Sequence, residues 1–184
     1  MAGPTHVAFL RAVNVGGRTA RKEQLLAAAE AAGAVDVGTF IASGNLLLAA
    51  GTLPDDRRSI ESALEAALLH ELGFPTEVFV RTRTELAALA AGDPFHGAVE
   101  VESGTYNVGF LREPLDADVA AALRGLSSDE DSLATTGREL HWHTIGKMSE
   151  SVLFQRPTID KVVGVPVTMR NIRTVRRLAE RLKA

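Results

Sequence analysis

Arg11, Asn14, Gly16 and Gly17 close an apolar run, Val7 to Leu10, and open onto a stretch with helical spacing. A guanidinium fork matches the shape of a carboxylate or phosphate, and a glycine pair lets backbone N–H groups approach a ligand closely. At the entrance to a helix those parts make an anion site. Ser43-Gly44-Asn45 is a second turn of similar chemistry, and Asn14 and Asn45 add hydrogen-bonding amides. The plainer reading is that Gly16-Gly17 only permits a turn, Ser43-Gly44-Asn45 only closes a hairpin, and Arg11 pairs internally. Neither a Gly-x-Gly-x-x-Gly nor a Walker pattern is present to favour a nucleotide.

Other residues offer less. Gly146-Lys147-Met148-Ser149 reads as a helix start, with Ser149 as its cap and Lys147 free to meet a ligand. With Glu150 and Ser151 it resembles the KMSKS loop of class I aminoacyl-tRNA synthetases, but the Rossmann domain and the His-x-Gly-His partner are missing. His141 and His143 share one side of a strand with Trp142 opposite, which is half a metal site. With no third ligand fixed, they read as a surface pair beside a half-buried Trp, and no metal is assigned. There is no Gly-x-Ser-x-Gly elbow. Asp55-Asp56 and Asp129-Glu130-Asp131 read as solvated charge at a helix start and in a loop. Arg173, Arg177 and Arg181 recur every four residues as a stripe on the last helix, by default a solvated face.

These residues need a frame to hold them. Strands are expected at about 5–13, 35–41, 46–48 and 76–81. Helices over 19–32 and from Pro54 to Leu72 lie between them, closed by Gly33 and Gly73, and a short helix, 84–91, follows. That order is βαββαβ, the ferredoxin-like unit. Its first two strands run the same way, so the loop after the first and the turn after the second fall at one end of the sheet.

The order then recurs. Val108-Gly109-Phe110-Leu111-Arg112 nearly copies Val7-Ala8-Phe9-Leu10-Arg11, and Val163-Gly164-Val165-Pro166 echoes Leu72-Gly73-Phe74-Pro75. Thr136-Gly137-Arg138 sits where Ser43-Gly44-Asn45 sat. The second half reads as a strand over 105–112, a helix carrying Val119, Ala122, Leu123 and Leu126, strands at 131–135 and 139–145, an irregular helix over 147–163, a strand over 165–169 and a helix over 171–182. The expected fold class is therefore α+β, an internal duplication of two ferredoxin-like halves at 1–92 and 103–184 joined by a connector, 93–102, each half with an extra helix. Both sides of the first strand are apolar, so the helix-free face of that sheet must also be covered.

Composition narrows the function classes. The chain has 184 residues, 46% hydrophobic and 23% charged, ordinary for a globular protein. The absence of cysteine excludes disulfides, thiolate nucleophiles and Cys-ligated metal clusters. A net charge of -3 and a single Tyr and Trp make nucleic acid an unfavoured partner. No apolar run approaches the about 18 residues of a membrane span, and Met1-Ala2-Gly3-Pro4 leads straight into a strand, so a cytoplasmic protein with no membrane contact is expected. The implied partner is a small anionic ligand, with no cofactor and no fixed oligomeric state; the alternatives are an enzyme of unknown reaction using the same site, with Lys147 or a His as acid or base, and weak nucleic-acid binding through the basic last helix.

Three ordered blocks carry a family resemblance: Leu10 to Gly17; Thr39-Phe40-Ile41-Ala42-Ser43-Gly44-Asn45; and Gly164 with Val167-Thr168-Met169-Arg170-Asn171 and Thr174-Val175. Together they resemble the signature blocks of the domain of unknown function 1697 family over nearly the whole chain. The resemblance implies a compact α+β protein of two related ferredoxin-like halves and carries no activity, substrate or cofactor. The chain departs from the family pattern at Ala12-Val13, where Gly-Ile is usual, at Ala42 for Gln, at Lys147-Met148 for Gly-Arg, and at Ile172-Arg173 for Trp-Asn. Arg170 and Asn171, in the third block, join Arg11, Asn14, Gly16, Gly17, Ser43, Gly44, Asn45 and Lys147 as the candidate ligand-binding residues.

Overall fold

The computed structural model describes residues 3–41, 44–49, 51–100, 103–155 and 158–183. The chain is mixed α+β, with two four-stranded antiparallel sheets and seven α-helices among the described residues. It divides into two compact units, residues 1–90 with 176–184, and residues 91–175.

In the first unit β1 (His6–Leu10), β2 (Val35–Thr39), β3 (Asn45–Ala49) and β4 (Val78–Thr82) are arranged β2-β3-β1-β4. Helix α1 (Lys22–Ala31) lies between β1 and β2, α2 (Arg57–Leu72) between β3 and β4, and α3 (Arg83–Ala91) follows. Helix α2 starts where Asp56 accepts the Ser59 N–H at 2.9 Å and stops at Gly73, whose left-handed φ of 74° costs an L side chain but not glycine.

Period-two alternation sends Ala8, Leu10, Leu46, Leu48, Val78 and Val80 to one face of this sheet, where they pack with Leu25, Ala28, Ile60, Leu64 and Leu68 of the helices. Val7, Phe9 and Phe79 occupy the opposite face and are just as buried. Arg81 shares that face, is 1% exposed, and donates from its guanidinium to the Val80 carbonyl at 2.9 Å.

An edge strand normally leaves a row of N–H groups open to another chain. Those of β4 are closed by carboxylates: Val78 donates to Glu65 at 2.8 Å, Val80 to Glu61 at 2.9 Å, and Thr82 to Glu85 at 2.8 Å. This explains why Glu61, facing the interior of α2, is buried; its other oxygen takes Arg57 at 2.8 Å.

The second unit repeats the order as β6-β7-β5-β8. Its strands are β5 (Gly104–Phe110), β6 (Asp131–Thr136), β7 (Glu139–Ile145) and β8 (Thr168–Asn171). Helix α4 (Ala117–Arg124) follows β5. Between β7 and β8 the expected single helix is instead a 3₁₀ turn, Met148–Glu150, then α5 (Val152–Gln155) and α6 (Thr158–Val163). Ser151, not Ser149, accepts a local backbone N–H, that of Leu153 at 3.1 Å. The last helix, α7, runs Ile172–Lys183.

Strands β4 and β8 begin at Val78 and Thr168, two and three residues later than expected. Helix α4 buries Ala120 and Leu123, while Ala122 is exposed, so its inward stripe is rotated from the expected one. The core of this unit is Leu111, Leu123, Leu133, Leu140, Trp142 and Ile159 with their neighbours.

Candidate functional site

The connection between β1 and α1 holds Arg11, Asn14, Gly16 and Gly17 and is exposed over most of its length. Gly16 and Gly17 have φ of 62° and 82°, and a Cβ built on either would meet nothing, so their backbone faces open space. Asn14 closes the loop on itself, its side-chain oxygen accepting the Ala20 N–H at 3.0 Å.

The hairpin tip is a direct neighbour of this connection. The Gly44 carbonyl accepts the Leu10 N–H at 2.8 Å, and a Cβ on Gly44 would stand 2.6 Å from a Val13 methyl, which is why glycine occupies the position. Asn45 faces Phe9 across the ladder, is buried, and donates from its side-chain amide to the Phe40 carbonyl at 2.9 Å. Ser43 lies outside the described residues.

Arg11 turns the other way. Its backbone N–H donates to the Glu77 carbonyl at 3.0 Å, and its guanidinium meets the Glu77 carboxylate at 3.2 Å. Glu77 leads into β4, on the flank of β1 opposite β3, so the Arg11 guanidinium and the hairpin tip sit on different flanks of the same strand. The internal pairing foreseen for Arg11 is real, with side chains still 41% and 38% exposed.

On that β4 flank lies a cleft of about 450 Å³. Its polar wall is Arg11, Arg18, Glu65, Thr76 and Glu77, and its apolar wall is Ala66, Leu69 and Pro75. Arg18 rests on the Phe74 ring with its guanidinium carbon 5.0 Å from the centroid, a cation–π contact. No ion-pair partner of Arg18 is found among the described residues. Thr76 is 4% exposed, and its hydroxyl oxygen is buried without a hydrogen-bond partner among the described residues. Asn14, Gly16, Gly17, Gly44 and Asn45 do not line this cleft.

Arg18 and Thr76 escaped the sequence reading. One is a lone basic residue in a polar loop, and the other sits in what read as strand. Only the pairing of β4 with β1 brings them together.

The other candidate residues belong to the second unit and each has a structural role there. Lys147 is exposed and pairs with Glu150 at 3.2 Å. Asn171 accepts the Arg173 N–H at 2.9 Å, a cap on the start of α7. Arg170 is buried opposite Val108 and donates to Thr168 at 2.9 Å and to the Met169 carbonyl at 2.8 Å; burial pushes its guanidinium down to about 10. Arg173, Arg177 and Arg181 are exposed as expected, and Arg177 lies over the Phe40 ring at 5.0 Å.

Two readings of the second unit are corrected. His141 and His143 are not a surface pair: both are buried on the face of the sheet that carries Tyr106. Tyr106 OH lies 2.7 Å from His141 Nδ1, Thr136 Oγ1 lies 2.6 Å from His141 Nε2, and Phe95 packs edge-on against both imidazoles. Burial drives the His141 pKa down to about 4 and lowers that of His143, against the opposing pull of Asp131. Both imidazoles are therefore neutral near pH 7. No group of three metal-ligating side chains is found among the described residues.

Asp131, read as solvated, is buried and takes the Trp142 indole N–H at 2.7 Å and the Ser151 hydroxyl at 2.8 Å. Trp142 is correspondingly buried rather than half-exposed. In a loop of acids nothing but this three-dimensional partner distinguishes Asp131 from Asp129.

A family model described as a protein of unknown function, DUF1697, matches residues 4–141. No curated protein matches the chain. Among solved structures, the conserved bacterial protein SP0830 from Streptococcus pneumoniae is similar over 100% of both chains, with a TM-score of 0.73 and 21% identity. At that identity the likeness concerns the fold. No helix among the described residues is long and apolar enough to cross a membrane.

Proposed function

The chain belongs to the DUF1697 family, whose description assigns no activity, and on that premise we propose that it is a binding protein for a small anion, held beside the loop between β1 and α1. The observation that carries this reading is the cleft in which Arg18 stands on the Phe74 ring next to Arg11. A guanidinium already flattened on an aromatic ring gives up little rotamer freedom when an anion arrives, so its hydrogen bonds count almost in full. The volume, about 450 Å³, falls within the range of small-molecule sites. Gly16 and Gly17 lie outside the cleft, and their left-handed φ of 62° and 82° supplies the turn by which the connection reaches Arg18.

This reading moves the site from where the sequence put it. Arg11 and the glycine loop remain, and the hairpin tip becomes a support, with Gly44 holding the end of β1 in place. The fold class sharpens with it: each half is a ferredoxin-like unit, supported by the recurring strand order, β2-β3-β1-β4 and β6-β7-β5-β8.

The test is a thermal-shift and calorimetric screen against inorganic phosphate, nucleotides, sugar phosphates and simple carboxylates, with Arg18→Gln alongside the wild type. At least one anion is expected to stabilise the wild type and not the variant. If no anion in the panel binds, or if Arg18→Gln binds as well as the wild type, the reading is wrong.

A further inference from the structure

The charges around the cleft do more than permit an anion; they select its kind. Arg11 is already neutralised by Glu77 at 3.2 Å, and Glu65 is committed to the edge of β4 through the Val78 N–H at 2.8 Å. That leaves the Arg18 guanidinium as the cation to be matched, with two carboxylates in the same walls to repel further negative charge. The lining also includes the apolar Ala66, Leu69 and Pro75, and Leu69 is 49% exposed, a large apolar surface for an isolated helix position. Thr76 adds a hydroxyl whose buried oxygen has no protein partner, a deficit of the kind that a ligand removes. A turn about its single χ1 redirects that hydroxyl.

Resting on the small-anion reading above, we infer that the ligand is a monocarboxylic acid with a short apolar body. Its carboxylate pairs with the Arg18 fork and accepts from Thr76, and its hydrocarbon part lies on Ala66, Leu69 and Pro75. A planar carboxylate matches a guanidinium in two parallel hydrogen bonds. A polyphosphate brings charge that one guanidinium cannot balance and that Glu65 and Glu77 oppose. The apolar wall has no use in binding a bare inorganic ion.

The experiment is calorimetric titration of the full chain with sodium hexanoate, sodium acetate, hexanol, inorganic phosphate and pyrophosphate. Hexanoate is expected to bind, and hexanol to bind at least about tenfold more weakly, since it lacks the charge that Arg18 recognises. Arg18→Gln should weaken hexanoate by about tenfold or more, and the isosteric Thr76→Val by about threefold, with circular dichroism unchanged because Arg18 is exposed and valine keeps the shape of the buried Thr76 while removing a hydroxyl that has no partner among the described residues. Leu69→Ser should weaken hexanoate and leave acetate unaffected. If phosphate or pyrophosphate binds in an Arg18-dependent way and hexanoate does not, the monocarboxylate is wrong while the small-anion reading stands. If hexanol binds as well as hexanoate, the site recognises hydrocarbon alone and the inference falls. If no probe binds, both readings fall together.

Discussion

The connection after β1 and its counterpart after β5 begin alike and end differently. Val7-Ala8-Phe9-Leu10-Arg11 and Val108-Gly109-Phe110-Leu111-Arg112 occupy the same place in the two sheets, and each hands its fourth apolar residue to the next hairpin tip. Leu10 donates to Gly44 at 2.8 Å, and Leu111 donates to Arg138 at 2.9 Å. The first connection then takes residues 11–21 to reach α1, whereas the second needs only residues 111–116 to reach α4. The extra length carries Arg18, which lines the proposed site, and the two glycines that precede it. Two similar halves thus tolerate a longer loop in one of them, because the strand-end hydrogen bonds that anchor each sheet lie outside the loop.

The halves also differ in what they bury on the sheet face away from their helices. In the first unit that face is Val7, Phe9 and Phe79 with a single charge, Arg81; in the second it is Tyr106, His141, His143 and Arg170. Arg81 and Arg170 answer to each other, opposite Val7 and Val108 in register, and each donates to the carbonyl of the residue before it. The imidazoles have no such counterpart, so the second half should be the one that answers to acid.

The largest effect expected is that pH response. The folded pKa of His141, about 4, lies below its unfolded value of 6.5. The unfolded chain therefore binds a proton first, and stability present above pH 6.5 falls as pH drops toward 4, by up to about 3 kcal/mol for this one residue. Urea unfolding at pH 7 and pH 4.5 measures it, and His141→Gln should flatten the dependence. An equal slope in wild type and variant would remove His141 as the source.

Asp131→Ala comes close behind. It strips the acceptor from the Trp142 indole and the Ser151 hydroxyl, and should cost about 2–4 kcal/mol by denaturant unfolding, with Trp142 fluorescence reporting the disturbance directly. A cost below about 1 kcal/mol would mean that the buried network is dispensable.

Gly17→Ala probes the other half. Its φ of 82° is unfavourable for alanine, but no atom stands in the way of a Cβ, so about 1 kcal/mol of stability is the expected loss. Anion binding should weaken as well, because Gly17 immediately precedes Arg18 and sets the backbone that carries its guanidinium. Smallest of all is Glu77→Gln. The Arg11 pair is substantially exposed, and removing it should change stability by less than about 1 kcal/mol while taking one negative charge from the cleft lining, which should strengthen anion binding.

Much of this frame could be read from residue order. Alternating apolar residues with Gly33 and Gly73 as helix stops mark most elements, and Ser43-Gly44-Asn45 marks a hairpin whose tip does adjoin the end of β1. What could not be read was direction. No acid precedes Arg11 and those that follow it lie at many separations, so only the placement of β4 beside β1 assigns it to Glu77. The burial of His141 and Asp131 was equally hidden, since a strand that alternates polar and apolar residues looks half-solvated when both of its faces are in fact covered. Arg18 and Thr76 lie 58 positions apart in the sequence with no shared pattern, and tertiary pairing alone makes them neighbours of one cleft.

An amide NMR titration of the full chain with a small carboxylate tests the site most directly. Shifts are expected to concentrate at residues 11–18 and 74–77, with residues 111–116 of the shorter connection silent. Shifts confined to 111–116, or spread evenly over both connections, would contradict it.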